Sequence, residues 1–429
     1  MGGLRPPNYD FLDLKNWEVV ELDAEELAKS AEIPAHVPPE MVRNLTMGRG
    51  LTTTRPPHAV VDDIHRDFPP VFYAPNLMNG GGWVFRRTED QVAVIHDPEH
   101  FSNKQIQPYA EMIGASWSMI PVEQDPPDHG VYRRMLMPFF VPKTAADMDD
   151  KINDYARTRV EALKDKGRCE FMEDFAFPFP STIFLEMMGM PVDRLQYFIE
   201  LYDTITRAAD MDDVLDAVRE VVAYFEKEIE IRRNDPPAEN MMSFALNASV
   251  DGRMFSHDEL VALFFNLGLA GLDTVSAHLG LIFRHLAEHP EHQADLRENP
   301  EKIEGAITEL MRAYGAVTIT RTCLKDTEVA GIKIKEGDKV CYSTALAARD
   351  PEVYDQPDKV IFGRDAKLYS FGTGIHVCIG MHIARRELRA AIKAFLEILP
   401  PFRIPDGTVI ESDLGTVFMP FSLPLEWDV

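Results

Sequence analysis

Cysteine is scarce in this chain: only four of the 429 residues are cysteine, namely Cys169, Cys323, Cys341 and Cys378. They are too far apart in the sequence for a CxxC zinc knuckle or redox dithiol, and four scattered thiols do not make a disulfide framework. Basic residues are also fewer than acidic ones: the chain has 44 Lys and Arg and 70 Asp and Glu, which gives a net charge of −26. Nucleic acid and anionic membranes repel such a chain, so we expect neither as a partner.

Long apolar runs are missing as well. No stretch approaches the ~20 consecutive apolar residues that span a bilayer. The opening residues, MGGLRPPNYD, lack the basic and apolar regions of a secretory signal. We therefore expect a cytoplasmic protein. Proline and acidic residues are frequent in residues 1–55, which predicts an N-terminal arm packed on a single domain, residues 56–429.

Helical periodicity dominates the middle of the chain, as in DVLDAVREVVAYFEKEIEIRR. Short strands are expected near the ends, so the predicted fold class is mainly α with small β-sheets. Thr88 and Gln91 have the spacing of a capping box, and Asp125 with Pro126 predicts another helix start. Residues 329–344 predict a hairpin that turns at Glu336-Gly337-Asp338.

One predicted helix stands out by its length. Ser256 and Glu259 form a capping box, and Pro290 marks the far end. The ~33 residues between these signals would extend ~50 Å. Because the middle of this helix is apolar on every side, it is expected to pass through the centre of the molecule.

Cys378 lies in the stretch SFGTGIHVCIG, just before a predicted helix of about five turns. Gly372 and Gly374 allow backbone angles closed to other residues, so this loop can approach a flat object closely. A helix N-terminus favours thiolate over thiol, and a thiolate on such a loop suits an axial ligand of haem iron. The alternative is a buried structural cysteine in a turn.

Two further motifs precede that loop. In AGLDT, small Ala270 and Gly271 leave space beside the long helix, while Asp273 and Thr274 are polar groups in an apolar setting. They would serve as an acid and an alcohol that relay protons. Alternatively, Thr274 only bonds the carbonyl one turn earlier. In ELMR, Glu309 and Arg312 share one helix face, a pattern more often seen in exposed ion pairs.

The motifs AGLDT, ELMR and FGTGIHVCIG occur in the order seen in the cytochrome P-450 family of haem-thiolate monooxygenases, which this sequence resembles from about Val37 onwards. The signature residues are Phe371, Gly374, His376, Cys378 and Gly380. The stretches EDFAFPFP, GLDTV, HVCIGMHIARRELR and LPLEW are most similar to the bacterial camphor hydroxylase group. The resemblance implies the cytochrome P-450 fold, with a long central helix over a haem b held by a Cys loop.

By this resemblance, Cys378 is the iron ligand, and Asp273 and Thr274 deliver protons. Glu309 and Arg312 are a structural pair that supports the Cys loop. The other implied haem contacts are Phe371, Gly372, Gly380, Ala270 and Gly271, with His129, Arg133, Arg321 and His376 holding the propionates. For His129, a helix-surface histidine is the alternative.

The resemblance also places the substrate pocket. Trp117 stands where the camphor enzyme has a tyrosine that holds the substrate ketone, which puts camphor itself in doubt. Asn266 lies two helical turns from Thr274 on one face, so its amide is expected to line the cavity. The remaining predicted contacts are Leu269, Val317, Ile319 and Val417.

The expected reaction is hydroxylation of a small apolar cyclic substrate, terpenoid or norisoprenoid, by a monomer that uses O2. Electrons would come from an acidic 2Fe-2S ferredoxin with its NAD(P)H-dependent reductase. A basic face would receive it, formed by Arg133, Arg134, Lys367, Arg385, Arg386, Arg389 and Lys393. Alternatively, several of these cations only neutralise nearby carboxylates. The competing functions are a haem-thiolate peroxygenase and a non-catalytic haem-based sensor or ligand carrier.

Overall fold

The computed structural model of the chain describes residues 33–78, 80–250 and 252–429. Most of the predicted arm, residues 1–32, lies outside the described residues. The remainder of the arm packs on the domain: Leu45 and Met47 are buried, and the strand Thr52–Thr53 pairs with Ser412–Asp413 near the other end of the chain. The division of the chain at residue 55 stays a prediction.

Helices account for most of the described structure, in agreement with the predicted fold class. The α-helices are Pro57–Asp67, Thr88–Ile95, Tyr109–Met112, Asp128–Phe140, Pro142–Asp147, Asp149–Glu161, Pro178–Met188, Leu195–Arg207, Met211–Arg232, Met241–Asn247, His257–Glu288, Pro290–Glu298, Ile303–Ala313, Thr344–Ala348 and Met381–Ile398. Short 3₁₀ segments include Pro300–Lys302 and Gly374–His376, and Met172–Ala176 forms a π-helical turn.

Small sheets border the helices. The largest has five strands in the order Val71–Ala74, Gly82–Phe85, Lys339–Ser343, Thr318–Cys323 and Phe101–Ser102. Two three-stranded sheets consist of Phe402–Arg403, Pro424–Trp427 and Arg168–Glu170, and of Met419–Pro420, Ser412–Asp413 and Thr52–Thr53. The two-stranded pairs are Thr46–Met47 with Asn76–Leu77, Thr327–Val329 with Ile332–Ile334, and Ser249–Val250 with Arg253–Met254.

The predicted long helix is His257–Glu288, 32 residues, hereafter the central helix. Its capping box is present, with Ser256 accepting from the Glu259 N–H and the Glu259 carboxylate accepting from the Ser256 N–H. The helix is long and apolar enough to span a membrane, but 72% of its most apolar stretch is buried inside the protein. Its apolarity is therefore that of a core helix.

The central helix passes between two hydrophobic cores. Its residues from Ala277 to Ala287 pack in a first core with Phe171, Phe175 and Phe395. Its residues from Leu260 to Leu272 pack in a second core with helices Leu195–Arg207 and Met211–Arg232. The change from one core to the other falls on residues 273–276, which include the predicted acid and alcohol.

Two predicted helix starts are wrong in detail. Thr88 is already inside its helix and donates to the Ala347 carbonyl, while the Gln91 side chain accepts from the Ser343 N–H. Asp125 does not cap a helix, because the helix begins at Asp128 and the Asp125 carboxylate accepts from Ser102 and Asn103. In both places the polar side chain bonds a distant segment instead of its own helix.

The predicted hairpin over residues 329–344 also differs. Ile332–Ile334 pairs with the preceding strand Thr327–Val329, and Lys339–Ser343 pairs with Thr318–Cys323 and Gly82–Phe85. Both strands exist and a turn separates them, but each has another partner. Near the C-terminal end of the chain, Ser412–Asp413 pairs antiparallel with Met419–Pro420, as in a hairpin.

Candidate active site

The Cys loop, residues 370–380, leads into the helix Met381–Ile398. Gly372 and Gly374 both have φ of 72°, the left-handed conformation that favours glycine. The Cys378 N–H donates to the Phe371 carbonyl at 2.8 Å, which closes the loop on itself. All four cysteines are free, and Cys378 alone has an exposed side chain.

The environment of Cys378 combines accessibility with poor solvation, as expected of a side chain that lines an internal cavity. Desolvation by the surrounding protein raises the pKa of the Cys378 thiol. The backbone N–H groups of Gly380 and Met381 and the Arg133 guanidinium favour the thiolate, but less strongly. The predicted contribution of the helix N-terminus is therefore present but outweighed, and a bound metal cation would supply the remaining stabilisation of the thiolate.

Basic side chains converge beside this loop. The rings of His129 and His376 lie with their centroids 4.2 Å apart, and Arg133 donates to the Val377 carbonyl at 2.5 Å. Burial, together with His129, Arg321 and Arg133, lowers the pKa of His376 to about 2. His129 is buried, contrary to the alternative of a surface histidine.

Among the described residues, none of these basic side chains forms an ion pair, and the two histidines are neutral because their pKa values are lowered. Arg321 is buried, its guanidinium donates to the neighbouring Thr320 carbonyl, and burial lowers its pKa to about 10. The Nε2 atom of His129 is buried without a hydrogen-bond partner. A buried Arg321 and a half-buried Arg133 without ion pairs, in a chain of charge −26, indicate a site for a bound anionic group. The two propionates of haem fit this requirement.

The middle of the central helix borders the same region as the Cys loop. Leu269 and Ile379 both pack on the second core, and Val275 and Phe371 both pack on the first. Ala270 is exposed although the helix turns on either side of it are buried. An accessible residue in the middle of a buried helix indicates a cavity along this face.

The small residues of AGLDT do not act alike. A Cβ at Gly271 would lie 2.3 Å from the ring of Phe184. The space predicted beside Gly271 is thus filled by the helix Pro178–Met188, so Gly271 serves close helix packing. Thr274 makes the local bond considered in the sequence, its Oγ1 donating to the Ala270 carbonyl at 3.0 Å.

Asp273 belongs to a buried charge network that sequence reasoning missed. Its Oδ1 accepts from Arg207 at 2.6 Å, and its Oδ2 is buried without a partner. Arg207 also contacts Asp203 at 3.1 Å and Asp413 at 3.5 Å. Burial raises the pKa of Asp413 to about 7, so this carboxyl carries a proton through mildly acidic conditions. The network fixes one oxygen of Asp273 and leaves the other available.

The predicted pocket residues divide into two groups. Trp117 lies against Phe265 of the central helix, with ring centroids 5.3 Å apart. Asn266 is buried, and its Nδ2 donates to the Ile120 carbonyl at 3.0 Å. That bond ties the central helix to the segment 106–121, hereafter the lid segment, so the amide has a structural contact besides its predicted role. Leu269 is half-buried on the same helix.

The second group lies in or next to strands. Val317 and Val417 form a β-bridge although they are far apart in the sequence. Ile319 follows two residues after Val317, is half-buried and pairs with Tyr342 in the five-stranded sheet. Tyr109 of the lid segment was not predicted: it is buried, and its hydroxyl accepts from Arg49 at 3.3 Å. The pattern around Tyr109 in the sequence gives no signal for this contact.

Glu309 and Arg312 form a fully buried pair, with Oε1 and Nη2 2.8 Å apart. Arg312 also donates to the carbonyls of Ala348, Pro357 and Lys359, and Glu309 accepts from the Ile361 N–H. The pair therefore holds residues 348–361, which precede the Cys loop, whereas it was predicted to support the loop itself.

The predicted basic face is partly neutralised. Arg385 pairs with Glu304 at 2.6 Å, Arg389 pairs with Asp149 at 2.8 Å, and Arg386 also pairs with Asp149. Lys393 lies 3.7 Å from Glu397, and Arg133 points to the Cys loop. Arg134 and Lys367 are exposed and have no carboxylate partner among the described residues.

An accessible but poorly solvated cysteine, a central helix with an accessible middle and two arginines without ion pairs define a haem-thiolate protein. Comparisons with known proteins agree. A profile of the cytochrome P450 family matches residues 184–413. The probable cytochrome P450 127A1 of Sinorhizobium fredii is 36% identical over 407 residues, 93% of this chain and 98% of that protein. The erythromycin C-12 hydroxylase of Saccharopolyspora erythraea is 32% identical over 74% of this chain and 81% of that one.

Solved structures give the same result. The crystal structure of cytochrome P450 CYP101C1 matches with a TM-score of 0.81 at 29% identity and covers 92% of this chain and 100% of that one. The chain belongs to the cytochrome P450 family. The predicted family, fold class, monooxygenase activity and haem b cofactor are confirmed.

Proposed function

We propose that this monooxygenase hydroxylates a small apolar cyclic molecule of the terpenoid or norisoprenoid class, with electrons from an acidic 2Fe-2S ferredoxin and its NAD(P)H-dependent reductase. The observation that carries the catalytic part is the accessible Cys378 in a loop that Arg133 contacts, together with the buried Arg321, neither arginine forming an ion pair among the described residues. We further propose a cytoplasmic monomer.

The residues of this chain divide the work of holding haem b. Cys378 would bind the iron through Sγ, and His129, Arg133, Arg321 and His376 would hold the propionates. Phe371, Gly372, Gly380 and Ala270 would contact the ring. When bound, haem supplies the activation of O2 that places one oxygen atom in a C–H bond and the other in water. The protein supplies orientation, protons and exclusion of water.

Proton delivery falls to Asp273 and Thr274. Arg207 holds Oδ1 of Asp273, which leaves Oδ2 to take up and release a proton. The Thr274 hydroxyl donates to Ala270, and rotation about its side chain would turn that donor towards the cavity. Asp413, which holds a proton below about pH 7, also contacts Arg207.

Replacing Asp273 by asparagine is expected to lower the rate of hydroxylation by ~10²-fold, because a titratable group is lost while an acceptor for Arg207 remains. Product formation and the haem spectrum should be measured together, and the spectrum should not change. Asp203→Asn is the matched control. Asp203 bonds the same guanidinium, but from the helix Leu195–Arg207 that carries Arg207 and not from the central helix, so its neutralisation should have a much smaller effect. Equal rates for Asp273→Asn and the unaltered protein would remove Asp273 from proton delivery.

The lid segment would set the size of the substrate together with Ile319 and the bridged pair Val317 and Val417. Trp117 is bulkier than a tyrosine and offers an indole N–H, which favours a compact substrate with one oxygen acceptor. Asn266 uses one N–H of its amide to bond Ile120, so its Oδ1 is left to accept from a substrate hydroxyl and its second N–H is left to donate to a substrate oxygen. Leu269 would add an apolar contact.

For the ferredoxin, Arg134 and Lys367 are the most suitable contacts of the predicted basic face. An exposed cation without a carboxylate partner is free to attract an acidic protein, whereas a paired cation contributes little to steering. The overall charge of −26 would repel that partner everywhere else.

Reconstitution with a 2Fe-2S ferredoxin, its reductase and NADH tests the proposal as a whole. Terpenoids that shift the ferric Soret band should be hydroxylated, with NADH consumed in proportion to product. Equal turnover with hydrogen peroxide alone would favour a peroxygenase. Substrate binding and haem reduction without any product would favour a sensor or ligand carrier.

A further inference from the structure

A cluster of histidines lies where the central helix ends, separate from the proposed haem contacts. His285 is in the last turn of the central helix, His289 connects this helix to the next, and His292 is in the first turn of Pro290–Glu298. The ring centroid of His289 lies 4.3 Å from that of His285 and 5.4 Å from that of His292. The monooxygenase reaction uses none of these rings.

Hydrogen bonds among these side chains show how the rings are oriented. Nε2 of His285 and Nδ1 of His292 lie 2.8 Å apart, so one ring donates and the other accepts through a neutral nitrogen. The other nitrogen of His285 lies 2.8 Å from the Tyr314 hydroxyl. These two hydrogen bonds, which link Tyr314, His285 and His292, fix the His292 ring and do not involve its Nε2.

Glu291 completes the cluster with an oxygen. Its Oε1 lies 2.8 Å from Nδ1 of His289. Ligand atoms of His289, Glu291 and His292 all lie within 4.8 Å of one another. Ligands of a tetrahedral zinc ion at ~2.0–2.1 Å are about 3.3 Å apart. A separation of 4.8 Å would have to shorten by about 1.5 Å, whereas the 2.8 Å between His289 and Glu291 would have to widen slightly. Glu291 is exposed and His289 is half-exposed, which gives both side chains room to move.

We propose that His289, Glu291 and His292 bind a divalent transition-metal ion such as Zn²⁺, with His285 and Tyr314 as the outer shell that orients His292. Two imidazole nitrogens and one carboxylate oxygen are ligands that suit zinc and leave a fourth position for water. Such an ion would tie the end of the central helix to the following helix. The cation also offsets part of the negative charge of the chain.

Zinc titration of the untagged, haem-loaded protein, freed of metals by a chelator, tests this site. Calorimetry should detect about one equivalent of Zn²⁺ bound with micromolar or tighter affinity, and Zn²⁺ should raise the Tm. Mg²⁺, which prefers oxygen ligands, should do neither. The Soret band should remain unchanged, because the site lies outside the haem contacts. Absence of zinc binding would overturn the proposal.

Variants separate this site from other histidines. His289→Ala and His292→Ala should each weaken zinc binding by at least tenfold, and together they should abolish it. His285→Asn should weaken it by ~10–100-fold, the range typical of outer-shell partners. His100→Ala is the control, since His100 bonds only Asp97 in its surroundings and should leave the affinity unchanged. Unchanged affinity in the His289/His292 double variant would mean that zinc binds elsewhere and that the assignment is wrong.

Discussion

Replacing Cys378 by alanine is expected to abolish both hydroxylation and the absorption band that a thiolate-ligated haem gives when it is reduced and treated with carbon monoxide. No other thiol can take over, because the remaining three cysteines are buried. Burial also raises the pKa of Cys169 and of Cys341 to about 12, which keeps both as thiols. Difference spectra and product analysis of the same preparations measure the two losses.

Cys341→Ala is the matched control for that experiment. Cys341 lies in the strand Lys339–Ser343 of the five-stranded sheet and is buried. Its truncation should cost ~1 kcal/mol of stability and leave the haem spectrum unchanged. Matching spectra for Cys378→Ala and the unaltered protein would refute the assignment of Cys378 as the iron ligand.

The sequence was most informative where one short segment carries the whole signal. Ser256 and Glu259 cap the central helix as their spacing predicts, since a capping box involves only four consecutive residues. The glycines of the Cys loop adopt the left-handed angles that only glycine takes readily. In each case the local chemistry has few alternatives, and distant residues do not alter it.

The sequence was least informative where distant residues compete for the same group. The sequence predicted free space beside Gly271, but Phe184 from another helix fills that space. Asp273 and Asp413 both contact Arg207, and no spacing rule connects these three positions. Likewise, Lys339–Ser343 pairs with Thr318–Cys323 and Gly82–Phe85 and not with the preceding strand, because strand pairing depends on the complete sheet.

Net charge proved to be a poor guide to local electrostatics. The chain carries −26, yet the proposed haem site collects two arginines without ion pairs, while the proposed proton-delivery network places three carboxylates around one arginine. Each arrangement would be unstable without a compensating group. The first calls for a bound anion, and the second holds a carboxyl, Asp413, that is partly protonated near neutral pH.

Replacing Arg312 by methionine is expected to destabilise the protein by ~3 kcal/mol, because the buried carboxylate of Glu309 loses one of its two arginine partners and keeps only Arg364, at 3.0 Å. The change also removes donors to the carbonyls of Ala348, Pro357 and Lys359. Urea unfolding of the haem-loaded protein, followed by far-ultraviolet circular dichroism, measures the loss.

The pair Glu230 and Arg233 provides a control with the same three-residue spacing on a helix, but with both side chains largely exposed. Arg233→Met should therefore cost less than ~1 kcal/mol.

The double variant Glu309→Leu with Arg312→Met separates the loss of charge compensation from the loss of hydrogen bonds to residues 348–361. If mutual charge compensation were the only role of the buried pair, removing both charges would restore stability. We expect little recovery, because Ile361, the three carbonyls and the guanidinium of Arg364, which also bonds Glu309, would still lack partners. Full recovery would show that the pair does not anchor residues 348–361.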